Sequence, residues 1–135
     1  MTHNPLAALL AALQPRLNPG VFAFVSAPAD ADAQAARAVA TVREAEGLTL
    51  VVPELVAQTA GWPVRFRAAW ITLDVASPLG GPGLTAAVAS ALADADIACN
   101  VIAGVHHDHL FVPADRGPAA LGLLRALQQR HAAPY

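Results

Sequence analysis

Blocks of apolar residues, separated by proline, glycine and charged clusters, divide the chain into short elements. Residues 5–13 form an apolar run that Asn4 can cap and Pro5 can open as a helix, with Pro15 ending it. Asn18-Pro19-Gly20 reads as a turn, and Val21-Phe22-Ala23-Phe24-Val25 as a short, nearly all-apolar strand. Residues 28–36 are alanine and aspartate with little periodicity, a surface loop or a weak helix. Runs at 39–42 and 48–52 flank Arg43-Glu44-Ala45-Glu46-Gly47. Gly47 can take the positive φ of a tight reversal, so these runs read as a hairpin. Pro53 opens a short helix through Ala60, and Gly61 is the residue expected just past a helix end. The stretch 64–75 is too long for a typical strand and divides near Ala68-Ala69 into strands at 64–67 and 70–75.

The second half has a plainer order. Strand 70–75 leads into the loop Ala76-Ser77-Pro78-Leu79-Gly80-Gly81-Pro82-Gly83. The helix after it carries Leu84, Val88 and Leu92 as a buried stripe with Ala87, Ala91 and Ala95 beside it, and Asp94-Ala95-Asp96 ends it. Strand 97–102, a turn at 104–108 and strand 109–112 follow, with Pro113 as the stop. The last helix, 118–130, shows Leu121, Leu124 and Leu127 at helical spacing and ends on a basic turn that suits the helix dipole. Strand, helix, strand implies a right-handed crossover and a sheet with helices on one face. This α+β order is the ferredoxin-like half-pattern without its last strand. A strand from the first half, or from a partner subunit, would fill that slot. The first half begins with a helix rather than a strand, so two incomplete units, 1–68 and 69–135, are expected to complete each other's sheet.

Composition narrows the class. Apolar residues make up 56% and charged residues 13%, both on the apolar side for a soluble domain. Such a chain is expected to hide surface in a partner, most simply as a homodimer. The net charge of −2 and the scattered basic residues argue against nucleic acid. The single cysteine, Cys99, excludes an intrachain disulfide and reads as a buried, inert thiol. The opening apolar run is short and lacks a positive flank, which fits neither a signal peptide nor a membrane span, and a cytoplasmic protein is expected.

Candidate chemistry centres on Ser77-Pro78-Leu79-Gly80-Gly81-Pro82-Gly83-Leu84-Thr85. Its glycines let a ligand approach the main chain, and the helix start beyond it suits a carboxylate. A plain strand-to-helix turn explains the same glycines equally well. The loop has neither a dinucleotide fingerprint nor a phosphate-cradling Gly-Lys-Ser/Thr. Asn100 is an amide inside an apolar strand, either a ligand contact or a satisfied core amide. In His106-His107-Asp108-His109 only His107 and His109 can share a strand face, so a strand turn with solvated tips is favoured over a metal site. One of these histidines could instead line an interface and respond to pH. Glu44 and Glu46 flank a turn where solvated charges usually sit. Ser26, Ser77 and Ser90 lack a nucleophile-elbow context, and Trp62 and Trp70 read as core or interface anchors.

Residues 71–127 resemble ACT domains: a strand, a Pro/Gly loop, an alanine-rich helix, then Asp96-Ile97-Ala98-Cys99-Asn100-Val101-Ile102-Ala103-Gly104, a turn, and His109-Leu110-Phe111-Val112-Pro113. Two blocks, 43–53 and 83–88 running on to 107–113, together resemble small bacterial proteins with two ACT-like units in tandem and no catalytic domain. The resemblance implies a ferredoxin-like sandwich of paired ACT units, antiparallel with helices on one face, akin to the regulatory region of aspartate kinases and usually dimeric. It further implies an amino-acid ligand at an interface between units. Ser77, Leu79, Gly80, Gly83, Leu84 and Thr85 on the loop and helix start, with Asn100 and Ile102 on the second strand, would make the contacts. This chain departs from many ACT domains in having no acidic residue near the Pro-Gly. The expectation is thus a non-catalytic amino-acid-binding regulator without cofactor or metal; the alternative is a structural or interaction module with no ligand.

Overall fold

One strand organises the molecule. The computed structural model describes residues 5–132, so Asn4 and its expected capping role lie outside the described residues. The apolar stretch at 64–75 forms a single strand, β5 (Phe66–Leu73), rather than two. Along one side it pairs without interruption with β7 (Asp108–Pro113), from Ala68 opposite Pro113 to Leu73 opposite Asp108. On its other side the partner changes. β2 (Phe22–Ala27) opposes Phe66 to Ala68, and β1 (Pro15–Leu17) opposes Ile71 to Leu73. Between them the Asn18 amide donates to the Trp70 carbonyl at 2.8 Å. The expected break at Ala68-Ala69 is therefore a change of neighbour beside an unbroken strand.

The whole sheet has seven strands in the order β3-β4-β2-β5-β7-β6, with β1 beside β5. The hairpin is β3 (Ala40–Glu44) and β4 (Gly47–Pro53), whose register closes with Glu44 opposite Gly47. The strands run further into the turn than the apolar runs suggested, leaving only Ala45 and Glu46 as the connection. The other edge, β6 (Asn100–Ala103), begins three residues later than expected, and Ile97 is buried as a loop residue instead. The slot missing from the second half is occupied by β1, a three-residue strand in which Pro15 takes the first position, where a missing N–H is tolerated.

Helices cover one face. In the second half, α1 (Pro5–Ala11), α3 (Leu84–Ala93) and α4 (Gly117–Ala132) enclose a core built from Leu10, Leu13, Ile71, Leu73, Leu84, Val88, Leu92, Leu110, Leu124 and Leu127. Leu84, Val88 and Leu92 form the expected buried stripe of α3. On α4 the stripe is Gly117, Ala120, Leu124 and Leu127, with Leu121 only half-buried. In the first half, α2 (Glu54–Ala60) and the turns of residues 28–38 cover Ala23, Val25, Ala27, Leu50 and Val52, aided by Ala36 and Ala57.

The opposite face has no helix and curls on itself. Phe22, Val51, Ala68 and Phe111 are buried there among Phe24, Phe66 and Trp70. Ala40 from one edge strand and Ile102 from the other both pack against this cluster, so the sheet wraps around it. Edge-to-face contacts fix the rings, with centroids 5.2 Å apart for Phe22 and Trp70 and 5.4 Å for Phe24 and Phe111.

Candidate functional site

The loop after β5 ends at Gly83, which precedes α3 with φ 104°, a conformation open to glycine. Among the described residues no side chain caps this helix, and its first turn carries no acidic residue. Its first N–H groups and the positive end of its dipole are therefore uncompensated by the described side chains. Leu79, Gly80 and Thr85 are exposed and Ser77 is half-buried. Leu84, by contrast, points into the core at 3% exposure, so only its backbone faces the loop. α1 reaches the same spot: a Cβ on Gly83 would lie 3.0 Å from Leu6 Cδ2.

Asn100 and Ile102 lie on the edge strand β6, opposite Phe111 and His109. Asn100 is exposed, contrary to the reading of an amide within a buried strand. β6 is an edge, and water rather than protein meets the amide there. Ile102 packs into the aromatic cluster and lines a small cavity of about 30 Å³ with Val39, Ala40, Trp70, His109 and Phe111. The β6 residue in line with the end of β5 is Ala103, through Asp108 and Leu73. Asn100 is three residues back along the strand, roughly 10 Å at about 3.3 Å per residue. Among the described residues no side-chain hydrogen bond or ion pair joins it or Ile102 to the 77–85 loop within one chain.

A polar network on the helix-free face escaped the sequence reading. Asn18 Nδ2 donates to Thr72 Oγ1 at 2.9 Å and to the Trp70 carbonyl at 3.2 Å. Trp70 Nε1 donates to His109 Nδ1 at 3.1 Å, so that nitrogen is an acceptor and the ring proton sits on Nε2. The Thr72 hydroxyl, 3.2 Å from the same nitrogen, can then only donate to it. Burial holds the His109 imidazole below its usual pKa of 6.5, helped by the nearby His107. Arg16 extends the network by donating to Asn18 Oδ1 at 2.8 Å and to Asp74 at 3.0 Å. That hydrogen bond draws the Asp74 carboxyl below its ordinary range. Asn18 reads in sequence as a turn residue and Trp70 as an anchor; the only advance signal was the pairing of His109 with a strand face.

Among the described residues the remaining candidates form no side-chain hydrogen bond with this network. His107 Nδ1 is buried without a hydrogen-bond partner, and His106 is exposed. Among the described residues no three or more His, Cys, Asp or Glu side chains converge as metal ligands. Asp108 faces the helix side, where burial raises its carboxyl pKa, and Cys99 is half-buried with its thiol likewise pushed up. Two larger cavities lie in the first half. An apolar groove of about 450 Å³ runs between Asp32, Ala35, Ala36 and the α2 side chains Leu55, Val56 and Thr59, with Trp62. A second cavity, of about 490 Å³, is lined by Phe24, Val25, Ser26, Glu44, Glu46, Thr49 and Arg65. Glu44 and Glu46, which read as solvated turn charges, are thus brought together with an arginine.

Comparison with known families and structures now fits this geometry. Family profiles described as ACT domain match residues 3–69 and 65–126. A crystal structure of a Vibrio cholerae protein of unknown function, described as a possible transport protein, is 41% identical over 92% of this chain and 96% of its own, with a TM-score of 0.83. The chain belongs to the ACT domain family, with two such units in tandem, a family of regulatory ligand-binding modules. The regulatory subunit of aspartate kinase from Thermus flavus shares the fold at 14% identity, covering 86% of this chain and 98% of its own, with a TM-score of 0.61. A protein from Agrobacterium tumefaciens shares it at 19% identity, over 84% of this chain and 87% of its own, with a TM-score of 0.63. The sequence matches no curated protein. No helix among the described residues is long and apolar enough to cross a membrane.

Proposed function

We propose that this chain is a non-catalytic, cytoplasmic regulator that binds an amino acid at the start of α3. The observation that carries the reading is the uncapped, acid-free first turn of α3 behind an exposed Pro/Gly loop, which suits an α-carboxylate. Ser77, Leu79, Gly80 and Thr85 would contact the ligand through side chain or backbone, and Gly83 and Leu84 through backbone. Asn100 and Ile102 would complete the site from β6 of a second copy, since one chain does not bring them to the loop. A homodimer joined along that edge follows from this arrangement. In this reading the units divide at 68/69, with β1 from the first unit closing the sheet of the second.

A thermal-shift screen of the full chain against all the amino acids tests it. Saturable stabilisation is expected, about 2.7 kcal/mol at a hundred times the dissociation constant. Thr85→Glu, which places a carboxylate where the ligand's would sit while favouring the helix dipole, should abolish the shift of the amino acid held there, and Asn100→Ala should weaken it. Flat curves with every amino acid overturn the proposal. An undiminished shift in both variants moves the site elsewhere.

A further inference from the structure

The cavity at the hairpin end of the first half carries a second, separate chemistry. Its floor is Phe24, held by edge-to-face contacts with Phe66 and Phe111 at centroid distances of 5.7 and 5.4 Å. Ser26 and Thr49 face each other across β2 and β4 in register, so their hydroxyls stand side by side on the helix-free face. Glu44 and Glu46 come from the hairpin turn, and Arg65 from the segment entering β5, where its backbone amide donates to the Phe24 carbonyl at 2.9 Å. Gly47 seats the turn: its φ is +151°, and a Cβ there would lie 3.0 Å from the Ala27 carbonyl oxygen and 3.7 Å from Ser26 Oγ. Only glycine lets the hairpin tip close this tightly over the end of β2.

The charges around this cavity do not satisfy one another. Arg16 pairs with Asp74, and Arg67, two residues beyond Arg65, pairs with Glu54. Among the described residues Arg65 forms no ion pair with Glu44 or Glu46, although all three line one cavity. Glu44 accepts from the Thr49 hydroxyl, which orients one carboxylate. Opposite charges thus line one space of about 490 Å³ without pairing, a size typical of small-molecule sites. A molecule carrying a carboxylate and an ammonium group would bridge them. The guanidinium fork matches a carboxylate in two parallel hydrogen bonds, and an ammonium presents three donors to carboxylates and hydroxyls. After one carboxylate and the guanidinium are matched, one negative charge is left over. That remainder selects a ligand with a second cationic group, whose aliphatic stem lies over the Phe24 ring.

We propose that this cavity binds a free α-amino acid with a cationic side chain, its carboxylate on Arg65 and its two cationic groups on Glu44 and Glu46. The site lies on the helix-free face of the first half and does not depend on the start of α3 or on a second copy.

Titration calorimetry on the full chain with L-lysine, L-leucine and 1,5-diaminopentane tests it. Lysine should bind more tightly than leucine, which lacks the second cation, and than the diamine, which lacks the carboxylate. Arg65→Gln and Glu46→Gln, both exposed positions that leave the fold intact, should each weaken lysine about tenfold or more. Arg65→Gln should not weaken the diamine, because it removes a cation that repels it, and Thr85→Glu should leave lysine unchanged. The proposal is overturned if the wild-type chain binds no lysine, or if both cavity variants bind it as the wild type does. Lysine binding weakened only by Thr85→Glu would likewise overturn it, while leaving an amino-acid site at α3 standing.

Discussion

The two halves of the sheet carry the same run of strands under very different cover. Three helices lie over the second half, and its buried side chains are mostly leucine, isoleucine and valine. The first half is covered by one short helix and a series of turns, over a core in which Ala23, Ala27, Ala36 and Ala57 are four of the seven buried residues. Burial stabilises in proportion to apolar area, so alanines contribute little each. Crossover architecture makes the contrast plain: β5 reaches β6 through the ten-residue α3, whereas β2 reaches β3 through turns alone. The lesson is a division of labour. The second half holds the larger aliphatic core, and the thinly covered first half keeps both large cavities.

Breaking that division should produce the largest effects. Leu124→Ala, at zero exposure between α4 and the sheet, should cost about 4 kcal/mol in urea unfolding, because rigid neighbours leave the cavity open. Leu50→Ala, equally buried in the first half, should cost about 2 kcal/mol, because alanines and turns can collapse into the gap. Equal losses, or the reverse order, would refute the contrast. Next comes the junction between the halves. Asn18→Ala removes the donor to Thr72, which is 1% exposed, and should cost about 1–2 kcal/mol by the same measurement.

A smaller effect follows from His109. Its folded pKa lies below the ordinary 6.5 because of burial, so the unfolded chain binds the proton more readily. The stability it contributes is complete above pH 6.5 and is lost as pH falls from there through the depressed folded value. The urea midpoint should therefore drop over that window, and His109→Gln should flatten the drop. A midpoint that rises on acidification would contradict the geometry of the Trp70 and Thr72 contacts. The smallest effect is expected from Arg16→Gln. Its pair with Asp74 is exposed, and the midpoint should move little at any salt concentration.

Strong periodicity was what could be read in advance. The α3 stripe, the hairpin and the Gly61 that follows α2 in a left-handed conformation all rest on local spacing or local backbone chemistry. β1 was invisible because Pro15, Arg16 and Leu17 show no alternation, and their strand character comes only from the edge of β5. Ala68-Ala69 looked like a gap because small residues break an apolar rhythm. In the fold they admit close packing, with a Cβ on Gly117 lying 2.9 Å from Ala69 Cβ. Asn100 misled because an apolar run does not say which strand becomes an edge. The meeting of Ser26, Glu44, Glu46 and Arg65 depends on strand register and on how the hairpin closes over β2, which no motif encodes. The loop before α3 was legible as a helix start, but its separation from Asn100 within one chain was not.

β1 also sets the order in which the molecule can be made. It leaves the ribosome before every strand it pairs with, and Leu17 must wait for Ile71, 54 positions later in the chain. Contacts of such separation slow folding, because a long loop has to close before they are rewarded. Until then the β5 edge between Ile71 and Leu73 presents bare backbone groups, the kind of template that invites pairing with another chain. β1 is thus made well before the strand that holds it, and the interval before it docks leaves this edge open to misassembly.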